Sequence, residues 1–246
     1  MPAVTKPAFV ETNLINGWPN AQSRNGVKPR YWVLHTSEGA GGQNLVDFMR
    51  GAQVSYHYVV GNEPTPQVFD LVDTDDASWS CLNANGYTIN AVFGPSFAGW
   101  NGQQWLDNMG RAIPVMAWLC ANDLIKYGIP PVVSLGPNYT PIPTGVVDHR
   151  YFTAVVRDGN THNDIGDSFP AEVFRNYLTT FYNAIKGAPV PVTPPKPTPA
   201  PAPQPYPSQA DMIVQIWEQL LGPHAKGWPQ LGGKTLIDAI AELRNK

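Results

Sequence analysis

The chain has 246 residues, long enough for one well-buried core with a further segment beside it. Charged residues make up 14% of it and the net charge is −3, against roughly 25% charged in typical soluble domains. That balance offers no electrostatic attraction for nucleic acid or an anionic membrane, and no apolar run approaches the ~20 residues that span a bilayer.

Met1-Pro2-Ala3-Val4-Thr5-Lys6-Pro7 lacks the charged-then-apolar pattern of a leader, so no signal peptide is expected. Residues 1–29 are turn-rich (Gly17-Trp18-Pro19-Asn20, Asn25-Gly26) and predict a loose lead-in. Tyr31-Trp32-Val33-Leu34-His35 is a β-branched and aromatic run that predicts a buried strand. It opens into Gly39-Ala40-Gly41-Gly42, and Gln43 to Arg50 then predicts a helix with Leu45, Phe48 and Met49 on one side. A histidine ending a strand before a glycine-rich loop is placed for function, or closes the strand by a hydrogen bond.

Gln53 to Gly61 predicts a second strand whose alternation separates Tyr56 and Tyr58 from His57. Gln67 to Val72 and Thr88 to Phe93 predict two more, and Asp73 to Tyr87, with Trp79, a surface loop near a substrate groove. Gln103 to Tyr127 carries apolar residues at helical spacing (Trp105, Met109, Ile113, Met116, Leu119/Cys120, Leu124), with Pro114 as a kink or boundary. The two cysteines, Cys81 and Cys120, form no CxxC pair and take no functional role here. Pro170 to Lys186 predicts another helix, buried through Val173, Phe174, Tyr177, Leu178 and Phe181.

From Ala188 to Pro207, ten of twenty residues are proline. At ~3.1 Å per residue such a segment is an extended linker reaching roughly 60 Å. Behind it, residues 208–220 and a run capped by Thr235 predict two short helices joined by Gly227-Trp228-Pro229-Gln230-Leu231-Gly232-Gly233. The expected organisation is therefore residues 1–187, a linker at 188–207 and a small helical module at 208–246. The fold class expected is α/β, a mixed central sheet flanked by helices.

Chemistry concentrates between Gly145 and Pro170, in loop-like sequence. Val147-Asp148-His149-Arg150 and Thr161-His162-Asn163-Asp164-Ile165-Gly166 bring two imidazoles and a carboxylate, which are zinc-ligand types. A catalytic zinc takes three protein ligands and an open position. His35 is the candidate that completes a set of His35, His149 and Asp164. Neither an HExxH helix nor a Gly-x-Ser-x-Gly elbow is present.

Val33-Leu34-His35-Thr36-Ser37, Val54-Ser55-Tyr56-His57-Tyr58-Val59-Val60 and the two segments just quoted resemble, in order, the motifs of zinc-dependent N-acetylmuramoyl-L-alanine amidases. These are phage endolysin enzymes sharing a fold with animal peptidoglycan recognition proteins. The resemblance covers roughly residues 28–186. It implies Zn2+ on His35, His149 and Asp164, catalytic roles for Tyr56 and His162, and hydrolysis of the lactyl–L-alanine amide of peptidoglycan. Trp79 is expected to contact substrate. Asp148 stands where relatives carry glycine, Ile165 where they carry proline, and the strand around Val92 lacks the acid of another branch. Residues 227–236 resemble tails of lysins from phages of mycobacteria, implying wall attachment. An endolysin so built would sit in the host bacterial cytoplasm until a holin releases it to the wall. The competing reading is a recognition module that binds muropeptide without cutting it.

Overall fold

The computed structural model describes residues 4–187, 220, 226 and 232–244. A seven-stranded sheet has the order β1 (Val10–Asn13), β5 (Gln67–Asp70), β4 (Tyr58–Val60), β7 (Thr88–Phe93), β3 (Tyr31–Thr36), β9 (Gly145–Asp148) and β8 (Val133–Ser134). All neighbours are parallel except β4 and β5, so the sheet is mixed. A separate antiparallel pair joins β2 (Ala21–Ser23) to β6 (Asp76–Ser78). The helices of this unit are α1 (Gly42–Gly51), α2 (Gly102–Met109), α3 (Ala112–Tyr127) and α4 (Ala171–Ile185). Among the described residues, no helix is long and apolar enough to cross a membrane.

β3 and β7 are buried along their whole length, because each is flanked by strands and covered on both faces. Alternation divides their side chains. Trp32 and Leu34 join the main core with α3 and α4, while Tyr31 and Val33 face the other way beside Cys81, Val147 and Tyr151. His35 continues that second face. Helix α3 buries ten of its sixteen residues, packing on α4 through Trp118 against Phe181 at 5.3 Å. It stops at Gly128, whose φ of +69° suits a residue without Cβ.

Several expectations are corrected. The lead-in is not loose: β1 and β2 lie in it, invisible to pattern because their residues are mostly exposed. The strand expected at Gln53–Gly61 shortens to Tyr58–Val60, since Ser55 is drawn instead into bonds with Trp79 and Asn20. The segment Asp73 to Tyr87 is no surface loop but holds β6 and a 3-10 turn, Leu82–Tyr87, with Ala77, Ser78 and Cys81 buried. The long helical run breaks at Gly110 and Arg111, not at Pro114. Pro114 sits in the first turn of α3, where a missing N–H costs nothing. A capping box between Asn101 and Gln104 starts α2.

In α1 it is Val46, not Phe48, that is buried; Phe48 is 63% exposed. In α4 the buried residues are Phe174, Leu178, Phe181 and Tyr182, with Val173 and Tyr177 only partly covered. The stretch from Gly145 is not loop-like at its start: Gly145–Asp148 is a buried strand beside β3, and Phe152–Val156 forms a π-helical turn.

The chain divides into two units, Met1–Lys196 and Pro197–Lys246. The proline-rich stretch and the first helix expected in the tail lie outside the described residues. In the second unit, α5 (Leu236–Arg244) is capped by Thr235, whose Oγ1 accepts the Asp238 N–H at 3.1 Å.

Asp123 of α3 is the buried acid of the main core, accepting bonds from Trp32 Nε1 at 2.9 Å and Tyr58 Oη at 3.2 Å. Burial pushes its pKa from 3.8 to about 7 against those bonds. A carboxyl with a folded pKa above its unfolded one binds its proton more tightly when folded, so stability falls as pH rises between the two values. Thermal melts should show a decline from about pH 4 to about pH 7 that flattens in Asp123→Asn. An unchanged slope in that variant would assign the decline elsewhere.

Candidate metal centre

Parallel pairing of β3 with β9 sets Leu34 opposite Asp148, and the His149 N–H donates to the Leu34 carbonyl at 3.3 Å. His35 and His149 therefore follow matched positions on adjacent strands, and their ring centroids lie 4.7 Å apart. The loop after the π-helical turn returns Asp164 to both rings. His35 Nδ1 is 3.1 Å from Asp164 Oδ2, and His149 Nδ1 is 3.4 Å from Asp164 Oδ1. The Arg150 N–H holds the Asp164 carbonyl at 2.9 Å. Gly166, at φ +89°, passes so close to the Ala98 backbone that a Cβ would collide with it.

His162 stacks on His149 at 4.1 Å with its Nδ1 3.5 Å from Asp164 Oδ1, and its side chain is 55% exposed. Tyr56 lies with its ring 4.9 Å from His35. The structure thus brings His35, His149, Asp164, His162 and Tyr56 together. Trp79 is partly buried, held to Ser55 through its backbone, with its indole Nε1 enclosed and unpartnered among the described residues. His57 turns into another set of contacts, near Arg24, Ser78, the Asp76 carbonyl and the Asn90 N–H.

Burial works against a charged Asp164, yet the bonds with His149, His162 and His35 outweigh it and hold its pKa well below the usual carboxylate range. Burial, opposed by the Asp164 bond, lowers the His35 pKa and favours the neutral ring. The Asp164 bond raises the His162 pKa. Burial raises that of the Tyr56 hydroxyl, which stays protonated. Asp148 is pushed up to about 6 by burial while Tyr139 donates to it at 2.7 Å. It also takes the Gly136 and Tyr151 N–H groups, so the residue in place of glycine staples the chain on either side of His149.

Among the described residues, the Asp164 carboxylate has no side-chain partner but these three imidazoles. Imidazoles and a carboxylate facing each other at near-contact distance are a donor set that suits a divalent cation. Two groups of three place their ligand atoms within 4.8 Å of one another: His149, His162 and Asp164, and the fully buried His35, Cys81 and His149. Cys81 Sγ lies 3.8 Å from His35 Nε2, the ring edge facing away from Asp164. Burial holds that thiol well above its ordinary pKa, as a protonated group donating to Asn90 Oδ1 at 3.2 Å. Asn90 Oδ1 already engages both that thiol and His35 Nε2, so the Asp164 side is the better cradle.

Sequence reading passed over Cys81, Asn90 and Asn160. Cys81 lies outside any ligand spacing, but a lone asparagine inside the apolar run Thr88–Phe93 is itself a signal, because a buried amide must find partners. Asn90 Oδ1 meets His35 Nε2 at 3.1 Å and Asn160 Oδ1 meets His149 Nε2 at 2.9 Å.

The wild-type chain should bind zinc in stoichiometric amount by elemental analysis. His149→Ala and Asp164→Ala should lose it and Cys81→Ser should keep it. Loss in Cys81→Ser with retention in Asp164→Ala would move the centre to the thiol side.

The sequence profile of the N-acetylmuramoyl-L-alanine amidase family matches residues 25–167, and that of the Rv3766 C-terminal domain matches residues 205–246. No curated protein matches the chain. Among solved structures it is similar to the hydrolase AmiA of Staphylococcus aureus, with 18% identity over 75% of this chain and 87% of that one and a TM-score of 0.58. It is also similar to the amidase LysC of Clostridium intestinale, with 14% identity over 73% and 98% of the two chains and a TM-score of 0.46. At such identities the likeness to AmiA concerns the fold.

Proposed function

We propose, starting from the fact that this chain belongs to the N-acetylmuramoyl-L-alanine amidase family, that it hydrolyses the amide joining the lactyl group of N-acetylmuramic acid to L-alanine in peptidoglycan. The observation that carries the reading is Asp164 held between His35 Nδ1 and His149 Nδ1. In this reading His35, His149 and Asp164 hold Zn2+. When bound, the ion supplies Lewis acidity, lowering the pKa of water and polarising a carbonyl.

The chain's own groups do the rest. His162, exposed and biased toward its protonated form by Asp164, donates to charge developing on the substrate carbonyl oxygen. Tyr56 keeps its proton and so can donate, orienting water or assisting departure of the alanine amine. Val92, buried opposite His35 in β3–β7 pairing, brings no carboxylate, which leaves Tyr56 and His162 as the proton-bearing groups at this face. In this reading Trp79, partly buried and tied to Ser55 through its backbone, is a substrate contact.

The biological setting we infer is a bacteriophage endolysin that reaches the wall through a holin. The proline-rich stretch at 188–207 is its linker and residues 208–246 a wall-attachment module. The profile match beginning at residue 205 and the composition change at residue 188 support that division.

Purified wall treated with the protein should release free L-alanine amino groups without new reducing ends. Binding without release would favour the recognition module instead. His162→Ala should lower kcat by about 100-fold or more, the scale of losing one oxyanion donor. Deleting residues 208–246 should weaken lysis of intact wall and spare a soluble muropeptide. Unchanged wall binding after the deletion would remove the attachment role.

A further inference from the structure

We propose that Asn90 and Asn160 are positioning residues, each accepting the Nε2 proton of one histidine and so leaving Nδ1, on the Asp164 side, as the nitrogen that would bind a cation. A neutral imidazole carries one proton, and which nitrogen holds it depends on the partner of the other. The amide orientations decide the matter here, because each asparagine is anchored at its donor end. Asn160 Nδ2 donates to Asp158 Oδ1 at 2.8 Å and to the Cys81 carbonyl at 3.3 Å, both acceptors only. The oxygen end is thereby left to face His149 Nε2 at 2.9 Å, and an oxygen there can only accept.

Asn90 is fixed in the same manner. Its Nδ2 reaches Ser78 Oγ at 2.9 Å and Thr88 Oγ1 at 3.0 Å, and the Thr88 hydroxyl already spends its proton on the Ala84 carbonyl. Asn90 Oδ1 then accepts from the Cys81 thiol and from His35 Nε2 at 3.1 Å. Both asparagines are buried, at 0% and 4% exposure, so water cannot substitute for either contact. A cation beside Asp164 would consequently take the place of any proton on Nδ1 and meet a lone pair of each ring. Cys81, through its carbonyl and its thiol, touches both anchors and so links the two histidine supports.

The inference rests on His35 and His149 being metal ligands. Its test uses the zinc-loaded full chain labelled with 15N-histidine, at about pH 8 where unperturbed rings are neutral. Long-range proton–nitrogen spectra should show His35 and His149 as Nε2–H tautomers. Those protons should exchange slowly and show cross-relaxation to the Asn90 and Asn160 side chains. Asn90→Leu should speed exchange of the His35 Nε2 proton alone, and Asn160→Leu that of His149 alone. Asn90→Asp, which keeps the acceptor, should restore His35.

His57, bonded to the Asn90 backbone and not to its amide, reports that the fold persists. Zinc affinity by chelator competition should fall about 10- to 100-fold in the leucine variants, as for other residues that orient metal ligands. An Nδ1–H tautomer on either wild-type ring, or missing cross-relaxation, would overturn the assignment without any variant. Unchanged exchange of those protons in folded leucine variants would do so as well. None of these readouts requires turnover, so a failed wall assay and a failed tautomer assignment are separate results.

Discussion

A single carboxylate, that of Asp164, closes this site. Two rings carried to the face of the sheet by neighbouring strands would, left alone, be two buried histidines 4.7 Å apart. The chain between them and the helix α4 loops back so that Asp164 meets both at once, and a third ring stacks over the outside. Everything chemically useful at this face follows from that return, because a carboxylate enclosed by imidazoles is stable only with protons or a cation among them.

The sheet supplies the rigidity that such a meeting needs. Parallel strands lie ~4.8 Å apart, which is the spacing found between the two rings. β3 is central, paired on both sides and buried throughout, so its last residues have little freedom. His149 lies one residue past β9 and is tied back to β3 by its own N–H. Asp148 then fastens the following turn and the Gly136 loop to the same strand end. A glycine there would leave those backbone groups to find other partners.

Around the rings the buried polar groups form one connected set and not isolated pairs. Arg24, His57, Ser78, Thr88, Asn90 and Cys81 occupy the face behind His35, and Asn160 with Asp158 occupies the flank of His149. Such a set is costly unless its members satisfy each other. Here most do, with Asp158 Oδ2 the atom without a partner among the described residues.

Much of this could be read directly from the chain. The run Tyr31–His35 declares a buried strand because five consecutive side chains suit no solvent-facing element. Zinc-ligand residue types at positions 35, 149 and 164 were legible as motifs. The strand at Gly145–Asp148 was not, since four residues carry too short a period, and β1 and β2 are strands only because a partner offers them a ladder. The break at Gly110 was missed for a local reason: proline draws attention, yet it is harmless in a first helical turn. Sequence, then, determined which groups were available and the order in which they occur. Tertiary structure alone decided that Asn90 and Asn160 stand behind the histidines and that Cys81 joins them, because such contacts connect residues up to 79 positions apart and are fixed by strand register and amide orientation, neither of which leaves a periodic trace in the chain.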